Sequence, residues 1–462
     1  MKLAVVVQRY GADLSGGAEL HARYIAEHLA RHAQVDILTT CARDYITWRN
    51  EFPPGDEKVN GLLVRRFPVS RERDPREFGR RSDRVFGERH SLDDELRWLQ
   101  SEGPASPALV DHLRRDASRY DYLIFFSYRY YHAYHGALAA PAKAVLVPTA
   151  ERDPALGLAI FQPAFRSVRA LMYNSHEERA LIQTVSQNHE VPGVVVGVGS
   201  EVPDAPDAAR FRRRTGIKGR FALYVGRIDE NKGCAELFEY FSRYVAEVSR
   251  RLRLVLIGKP IMPLPSHPRI EHLGFVTDEE KYDAMAAADL LLMPSYYESL
   301  SMVTLEAWAM QLPVLVNGRC DVLRGQSVRA NAGLYYESYD EFAETLHMLE
   351  TVRRLRRKLG ANGRAYFERH YTWDVVEGKY LAMLERLSRE DRSGHRPARE
   401  RSPGWLARRR RIQPPARDVV DRLPSGPVRE ETSSPEEPRT GRRRRSRSGN
   451  RASSRRDPRT RQ

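Results

Sequence analysis

A chain of 462 residues with 41% apolar side chains is long enough for two core-forming domains, and no run in it approaches the ~18–20 apolar residues of a membrane span. The net charge of +15 is concentrated at one end: residues 388–462 hold 23 Arg and no Lys against 10 acidic residues, which leaves only +2 on residues 1–387 and little reason to expect DNA or RNA on the body. Three scattered cysteines, Cys41, Cys234 and Cys320, lack metal-ligand spacing, which argues for a reducing, cytoplasmic setting and against a disulfide frame or a zinc site.

Leu3 to Val7 reads as a first strand, too short to be a signal peptide. Gln8 to Gly17 is a loop, and Ala18 to Arg31 is an amphipathic helix with Leu20, Tyr24, Ile25 and Leu29 at helical spacing. Val35 to Thr39 is the second strand. Gly16 and Gly17 sit at the helix N-terminus, where residues without Cβ let backbone amides approach a phosphate; an ordinary tight turn is the alternative. Leu62 to Phe67 is a strand, 70–100 a charged helical insertion, and Tyr122 to Phe126 a buried strand. The Tyr- and His-rich run Ser127 to His135 either lines a ligand cleft or packs as a helix, and His132 and His135 lack the third ligand of a metal site. Lys143 to Pro148 is a strand opening onto Glu151, Arg152 and Asp153. That charged cluster stands where α/β sheets bind ligands: Arg152 could meet phosphate, and Glu151 or Asp153 an acceptor hydroxyl, with a locally salt-bridged surface turn as the alternative. Ala170 to Asn174 is a strand, followed by a capping box of Ser175 and Glu178.

The second half repeats the theme. After Val194 to Val198 and a polar passage, Phe221 to Val225 is a strand, Gly226-Arg227 a turn and Ile228 to Gly233 a loop. A helix with Leu237, Phe238, Phe241 and Val245 follows. Two β-loop-α openings predict two Rossmann-like halves. Arg227 can grip two oxygens with its planar fork and Lys232 adds a point charge, although basic residues in surface loops are commonly just solvated. Strands at Arg253 to Ile257, Ile270 to Leu273, Leu290 to Met293 and Val314 to Val316 complete the second sheet, with a further strand at Asn331 to Tyr336. Helices are expected at Asp278 to Ala287, Tyr339 to Glu350, Val352 to Leu359 and Tyr371 to Leu387.

The stretch from Leu290 to Val316 carries the chemistry. A buried strand ends at Pro294, and Ser301 caps a helix to about Met310. Glu298 and Glu306 therefore flank a strand-to-helix turn with E-x7-E spacing. Two carboxylates around an anion-binding helix start suit a nucleotide sugar: hydroxyls take the acceptors Glu298 (sugar) and Glu306 (ribose), and phosphate takes the amides of Ser299, Leu300 and Ser301. The bland alternative is that Glu306 complements the helix dipole.

The block P-S-x-x-E-S-x-S-x-x-x-L-E-A-x-A-x-x-x-P-V, from Pro294 to Val314, resembles the donor site of retaining glycosyltransferases of family 4, glycosyl transferases group 1, which have the GT-B fold. G-R-x-x-x-x-K-G at Gly226 to Gly233 resembles that family's diphosphate clamp, and Gly274-Phe275-Val276 its base-contacting turn. Gly16-Gly17 resembles its donor-phosphate loop, and Gly199 to Pro203 its interdomain hinge. The resemblance implies an α/β fold with an acceptor-side Rossmann-like domain over 1–198, a nucleotide-sugar domain over 199–370 and a crossover helix over 371–387. Residues 388–462 read as a disordered Arg/Ser/Pro-rich tail. It further implies hexose transfer from a nucleoside diphosphate sugar to a carbohydrate or lipid-linked acceptor hydroxyl in cell-surface polysaccharide or glycolipid synthesis, with retention and without a metal cofactor. Arg227, Lys232 and Glu298 would be catalytic. The chain departs from the family at the Glu151 loop, where many members place a histidine. The alternatives are a GT-B sugar-nucleotide epimerase and a non-catalytic sugar-nucleotide- or RNA-binding protein. The expected setting is cytoplasmic, with contact to an anionic inner membrane face through Trp405-Leu406, Arg408 to Arg411 and Arg442 to Arg445.

Overall fold

Two mostly parallel sheets, one per half of the chain, organise the fold. The computed structural model describes residues 1–14, 16–394 and 404–428. The N-terminal lobe contains β1 (Lys2–Val6), β2 (Gln34–Thr40), β3 (Gly55–Val59), β4 (Leu62–Phe67), β5 (His90–Ser91), β6 (Tyr122–Phe126), β7 (Ala144–Val147), β8 (Ala170–Tyr173) and β9 (Gly193–Val195). Its main sheet runs β3-β4-β2-β1-β6-β7-β8-β9, parallel except for the β3–β4 hairpin. The C-terminal lobe contains β10 (Phe221–Val225), β11 (Arg253–Ile257), β12 (Ile270–His272), β13 (Leu290–Met293), β14 (Val314–Asn317) and β15 (Gly333–Tyr336). These run β12-β11-β10-β13-β14-β15, all parallel. Helices cover both faces, so β6, β10 and β13 are buried throughout, as β1 is from Leu3 onward, and they read as unbroken apolar runs.

Two expected helices run longer than their sequence suggests. The helix expected to end at Leu359 spans Arg353–His370. Gly360 and Gly363 look like stops, but they let this helix press against the Met302–Ala309 helix: a Cβ on Gly360 would collide with the Gln311 carbonyl, and one on Gly363 with the Trp308 ring. The crossover helix spans Trp373–Arg392. Its Trp373 stacks on His28 of the Gly17–Leu29 helix at 3.6 Å, and its far end holds the buried Arg169 through Glu390 and Asp391, both at 2.8 Å.

The reading of 388–462 as one unordered run does not hold for 388–394 or 404–428. After the crossover helix, a short helix at Trp405–Arg410 leads into β16 (Ile412–Gln413), which pairs antiparallel with β5. A last helix at Ala416–Asp421 buries Ala416 and Val420 in the N-terminal core beside Leu156 and Leu158. Sparse apolar residues among arginines cannot build a core alone, but they fill hollows on a surface that already exists. Arg442 to Arg445 and the rest of 429–462 lie outside the described residues, as do 395–403. No helix among the described residues is long and apolar enough to cross a membrane.

Candidate active site

The loops that follow β7 and β8 meet the loops that follow β10, β13 and β14, so the two lobes face one another across a cleft. On the C-terminal side, Lys232 Nζ lies 2.7 Å from Glu298 Oε1. Both side chains are largely enclosed, at 28% and 12% exposure. Across the cleft stands Glu151. Burial pushes its carboxyl up to about 7; Lys232 opposes that shift, while Glu298 and Asp153 add to it. Burial works to lower Lys232 in turn, and the facing carboxylates of Glu298 and Glu151 outweigh it, so the ammonium stays charged above its usual range. A cation paired with Glu298 and within electrostatic reach of Glu151 can hold an anionic group, and it favours the ionised form of Glu151 against the effect of burial.

The Ile228–Gly233 loop is braced from within. Asp229 accepts from the Arg227 guanidinium and from the Lys232 backbone N–H at 2.8 Å. Arg227 is half exposed and held by that pairing with Asp229. Gly226 turns at the end of β10. Gly233 adopts φ +69° while its Cα lies against the Pro294 carbonyl, a position that only glycine fills without strain. Asp229 is not singled out by the sequence pattern, and its signal is only that it sits between the two cations.

Ser301 caps the Met302–Ala309 helix as expected, with its Oγ accepting from the Thr304 N–H at 3.4 Å. Ser299 and Leu300 form the turn before it, and Ser299 Oγ meets Asn174 Nδ2 from the other lobe at 3.5 Å. Glu306 is buried: Oε1 accepts from Lys281 Nζ at 2.9 Å, while Oε2 is enclosed with no protein partner. Burial raises the carboxyl and Lys281 opposes the rise. An enclosed oxygen without a donor suits a ligand hydroxyl better than a helix-dipole role does. The Tyr24 side chain of the Gly17–Leu29 helix lies within electrostatic reach of Glu306 and Lys281. Lys281, read only as part of a connecting helix, has no local sequence signal.

The other expected residues are placed as follows. Gly16 caps the Gly17–Leu29 helix beside the buried Arg9–Glu19 pair at 2.6 Å, and Gly17 has open space beyond its Cα. Phe275 is 78% exposed and Val276 partly buried at the rim of the C-terminal lobe. Of the acceptor trio, only Glu151 faces Lys232 and Glu298. Arg152 does not offer itself to a phosphate: it binds Asp321 at 2.8 Å and carbonyls of Val420, Leu423 and Pro424. Asp153 is paired with Arg129 at 2.5 Å. His132 is buried in the core, which pushes it down to about 3, and does not line the cleft.

Glu178 is a supporting residue whose role the capping-box reading only half captures. The Ser175 hydroxyl accepts from the Glu178 N–H at 3.1 Å, but the Glu178 carboxylate goes to the N–H of Asn174 and, at 2.5 Å, to that of Ala150. It thereby ties the Glu151 loop to the end of β8. Complete burial pushes it up to about 8, against the backbone hydrogen bonds that favour its charged form.

Residues 207–366 match the family model of glycosyl transferases group 1. The mannosylfructose-phosphate synthase of Agrobacterium fabrum is 28% identical over 199 residues, which cover 39% of this chain and 44% of that protein. The chain spans about half the length of the curated relatives it matches. Among solved structures, sucrose-phosphate synthase from Thermosynechococcus elongatus superposes with a TM-score of 0.63 at 16% identity, covering 86% of this chain and all of that one. HepE of Anabaena, in complex with UDP-glucose, gives 0.60 at 16% identity, covering 84% of this chain and all of that one. The fold is GT-B, with two Rossmann-like domains across a cleft.

Proposed function

We propose that this GT-B-fold chain, whose residues 207–366 match the glycosyl transferases group 1 model, is a retaining glycosyltransferase that moves a hexose from a nucleoside diphosphate sugar to an acceptor hydroxyl. The observation that carries this reading is the Lys232–Glu298 pair facing Glu151. Arg227 and Lys232 would hold the diphosphate, Glu298 the sugar hydroxyls, and the unpartnered oxygen of Glu306 a ribose hydroxyl. In a front-face displacement the acceptor oxygen bonds to the anomeric carbon as the bond to the diphosphate breaks. The acceptor proton passes to the departing phosphate oxygen. The protein's work is then positioning and charge stabilisation, with the two cations in the place a metal would otherwise take. The experiment is product analysis with a panel of nucleoside diphosphate sugars and a sugar or lipid-linked acceptor. A new glycosidic bond with retained anomeric configuration supports the reading, and donor turnover with inversion removes it.

Glu151, with a carboxyl at about 7, also favours a second reading: a sugar-nucleotide epimerase that uses it as an acid–base group. Solvent deuterium entering the sugar of recovered donor, with no acceptor present, would select that reading.

The proposed acceptor class is a cell-surface polysaccharide or glycolipid precursor at the cytoplasmic membrane face. The short Trp405–Arg410 helix and the arginines that follow would add peripheral attraction to anionic lipid, with about 1 kcal/mol per Arg at the surface. The full chain is expected to sediment with anionic vesicles at low salt and to leave them as salt rises. Indifference to such vesicles at low salt would remove this part.

A further inference from the structure

Beyond the donor and acceptor groups, the segment 416–428 touches both lobes at two junctions. At the first, Arg152 of the N-terminal lobe pairs with Asp321 of the C-terminal lobe at 2.8 Å. Arg152 also donates to the carbonyls of Val420 at 3.2 Å and Leu423 at 3.3 Å, and to that of Pro424. Asp321 in turn accepts from the Gly426 N–H at 2.7 Å. At the second, Glu177 of the N-terminal lobe pairs with Arg329 of the C-terminal lobe, with Arg329 Nη2 2.9 Å from Glu177 Oε2. Val428 closes this junction from both sides: its N–H donates to Glu177 at 3.1 Å, and its carbonyl accepts from Arg329 at 2.8 Å. Each junction therefore joins three partners: one lobe, the other lobe and the segment. Glu177 and Arg329 are nearly fully enclosed, at 1% and 7% exposure, so their pairing acts in a poorly screened environment.

The segment is seated, not draped. Ala416 and Val420 are buried at 0% and 4% exposure, and the Ala416 carbonyl lies so close to Gly157 that a Cβ there would collide with it. Upstream, β16 pairs with β5, and the Leu92 N–H donates to the Arg411 carbonyl at 3.1 Å. Arg152 directly follows Glu151, and Gly157 closes the same loop. Whatever holds Arg152 and Gly157 also holds Glu151 against the Lys232–Glu298 pair.

We propose that residues 416–428 form a latch that clips the two lobes together at the Arg152–Asp321 and Glu177–Arg329 junctions and positions the loop bearing Glu151 in the cleft. Arg152, Asp321, Glu177 and Arg329 are positioning residues, acting on substrate through Glu151 and through lobe closure. Opening the cleft must break both interlobe ion pairs or carry the latch away. This inference rests on the glycosyl-transfer reading only for its kinetic consequence; the latch itself is a statement about the fold.

The test uses the full chain and the substitution Val420→Asp, which places a charge in the buried seat of the latch without touching the cleft. Backbone hydrogen exchange over 149–158 and 321–330 should quicken by about tenfold or more, with the β1 and β10 amides unchanged. In transfer assays kcat should fall by about tenfold while donor KM moves less than about threefold, because most of the expected donor groups sit on the C-terminal lobe and Gly16-Gly17 lies on an element the latch does not touch. Val420→Ile should behave as the parent. If Val420→Asp unfolds the chain, Gly157→Ala tests the same seat with one methyl group. Exchange at 149–158 within twofold of the parent in a folded latch variant overturns the proposal, and so does uniform loss of protection across both lobes. The exchange measurement needs neither donor nor acceptor. A chain that transfers no sugar but shows the local exchange change would defeat the proposed function and leave the latch standing.

Discussion

Replacing Lys232 by alanine tests the cleft chemistry where its geometry is most defined. The ammonium sits 2.7 Å from Glu298 and acts electrostatically on Glu151 across the cleft. Two effects follow from its loss. A diphosphate leaving group loses a charge-assisted contact that strengthens as negative charge develops, which is worth ~2.7–4 kcal/mol, or ~10²–10³ in kcat. The two carboxylates also lose the cation between them. Glu151, already at about 7, should then titrate higher, because Lys232 is the largest influence holding it down against burial. An upward move of one unit corresponds to about 1.4 kcal/mol. The assay is kcat and kcat/KM for donor turnover between pH 5.5 and 9, with Lys232→Arg as the charge-retaining control. Turnover should fall at least a hundredfold in Lys232→Ala, with the pH limb assigned to Glu151 displaced upward. A folded Lys232→Ala variant within tenfold of the parent, with an unmoved pH profile, refutes the assignment.

The two donor glutamates should fail differently. Glu306→Gln is expected to raise donor KM about tenfold with little change in kcat, whereas Glu298→Gln should lower kcat by ~10², because the sugar and not the ribose changes in the transition state. Steady-state kinetics decide this, and equal effects confined to KM sink the division. Glu178 makes a pH prediction. Its folded-state value of about 8 lies above its ordinary 4.5, so its stabilising contribution is complete below about pH 4.5 and is lost as pH rises through 8. The stability of the parent relative to Glu178→Gln should therefore decline by about 2–4 kcal/mol from pH 5 to pH 8 in urea titrations. A flat difference contradicts the buried protonated carboxyl. Gly233→Ala combines φ +69° with a collision at the Pro294 carbonyl and should cost about 2–4 kcal/mol, read as a lower urea midpoint.

Much of the fold was legible because buried parallel strands are apolar on both faces. β6, β10, β11 and β13 appear where their sequences place them. The hairpin strand β3 was not, since all but one of its residues are exposed and it carries no hydrophobic stripe, although Asn60-Gly61 after it is a turn signal. The 353–370 helix was cut short because glycine's backbone cost is visible in sequence, while the close helix approach that repays it is not. At the candidate site, Arg227, Lys232, Glu298 and Glu306 could be singled out because they stand in motifs that follow strand ends, G-R-x-x-x-x-K-G after β10 and E-x7-E after β13. Asp229, Lys281 and Glu178 were not, because their partners come from other elements. Arg152 looked like a phosphate ligand by local charge alone. Its real partners, Asp321 and the 420–424 carbonyls, are far along the chain, in a segment whose composition resembles disorder.

In the proposed reading, the cleft between the lobes binds a nucleoside diphosphate sugar through Lys232 and its neighbours. The most direct measurement is the thermal stability of the full chain against a panel of uridine-, guanosine- and adenosine-diphosphate sugars, repeated with Lys232→Ala. One donor should stabilise the parent by about 2.7 kcal/mol at a hundredfold excess over its Kd, and far less in the variant. If no nucleotide sugar raises the melting temperature of the parent, or if the shift survives unchanged in Lys232→Ala, the cleft is not the site described.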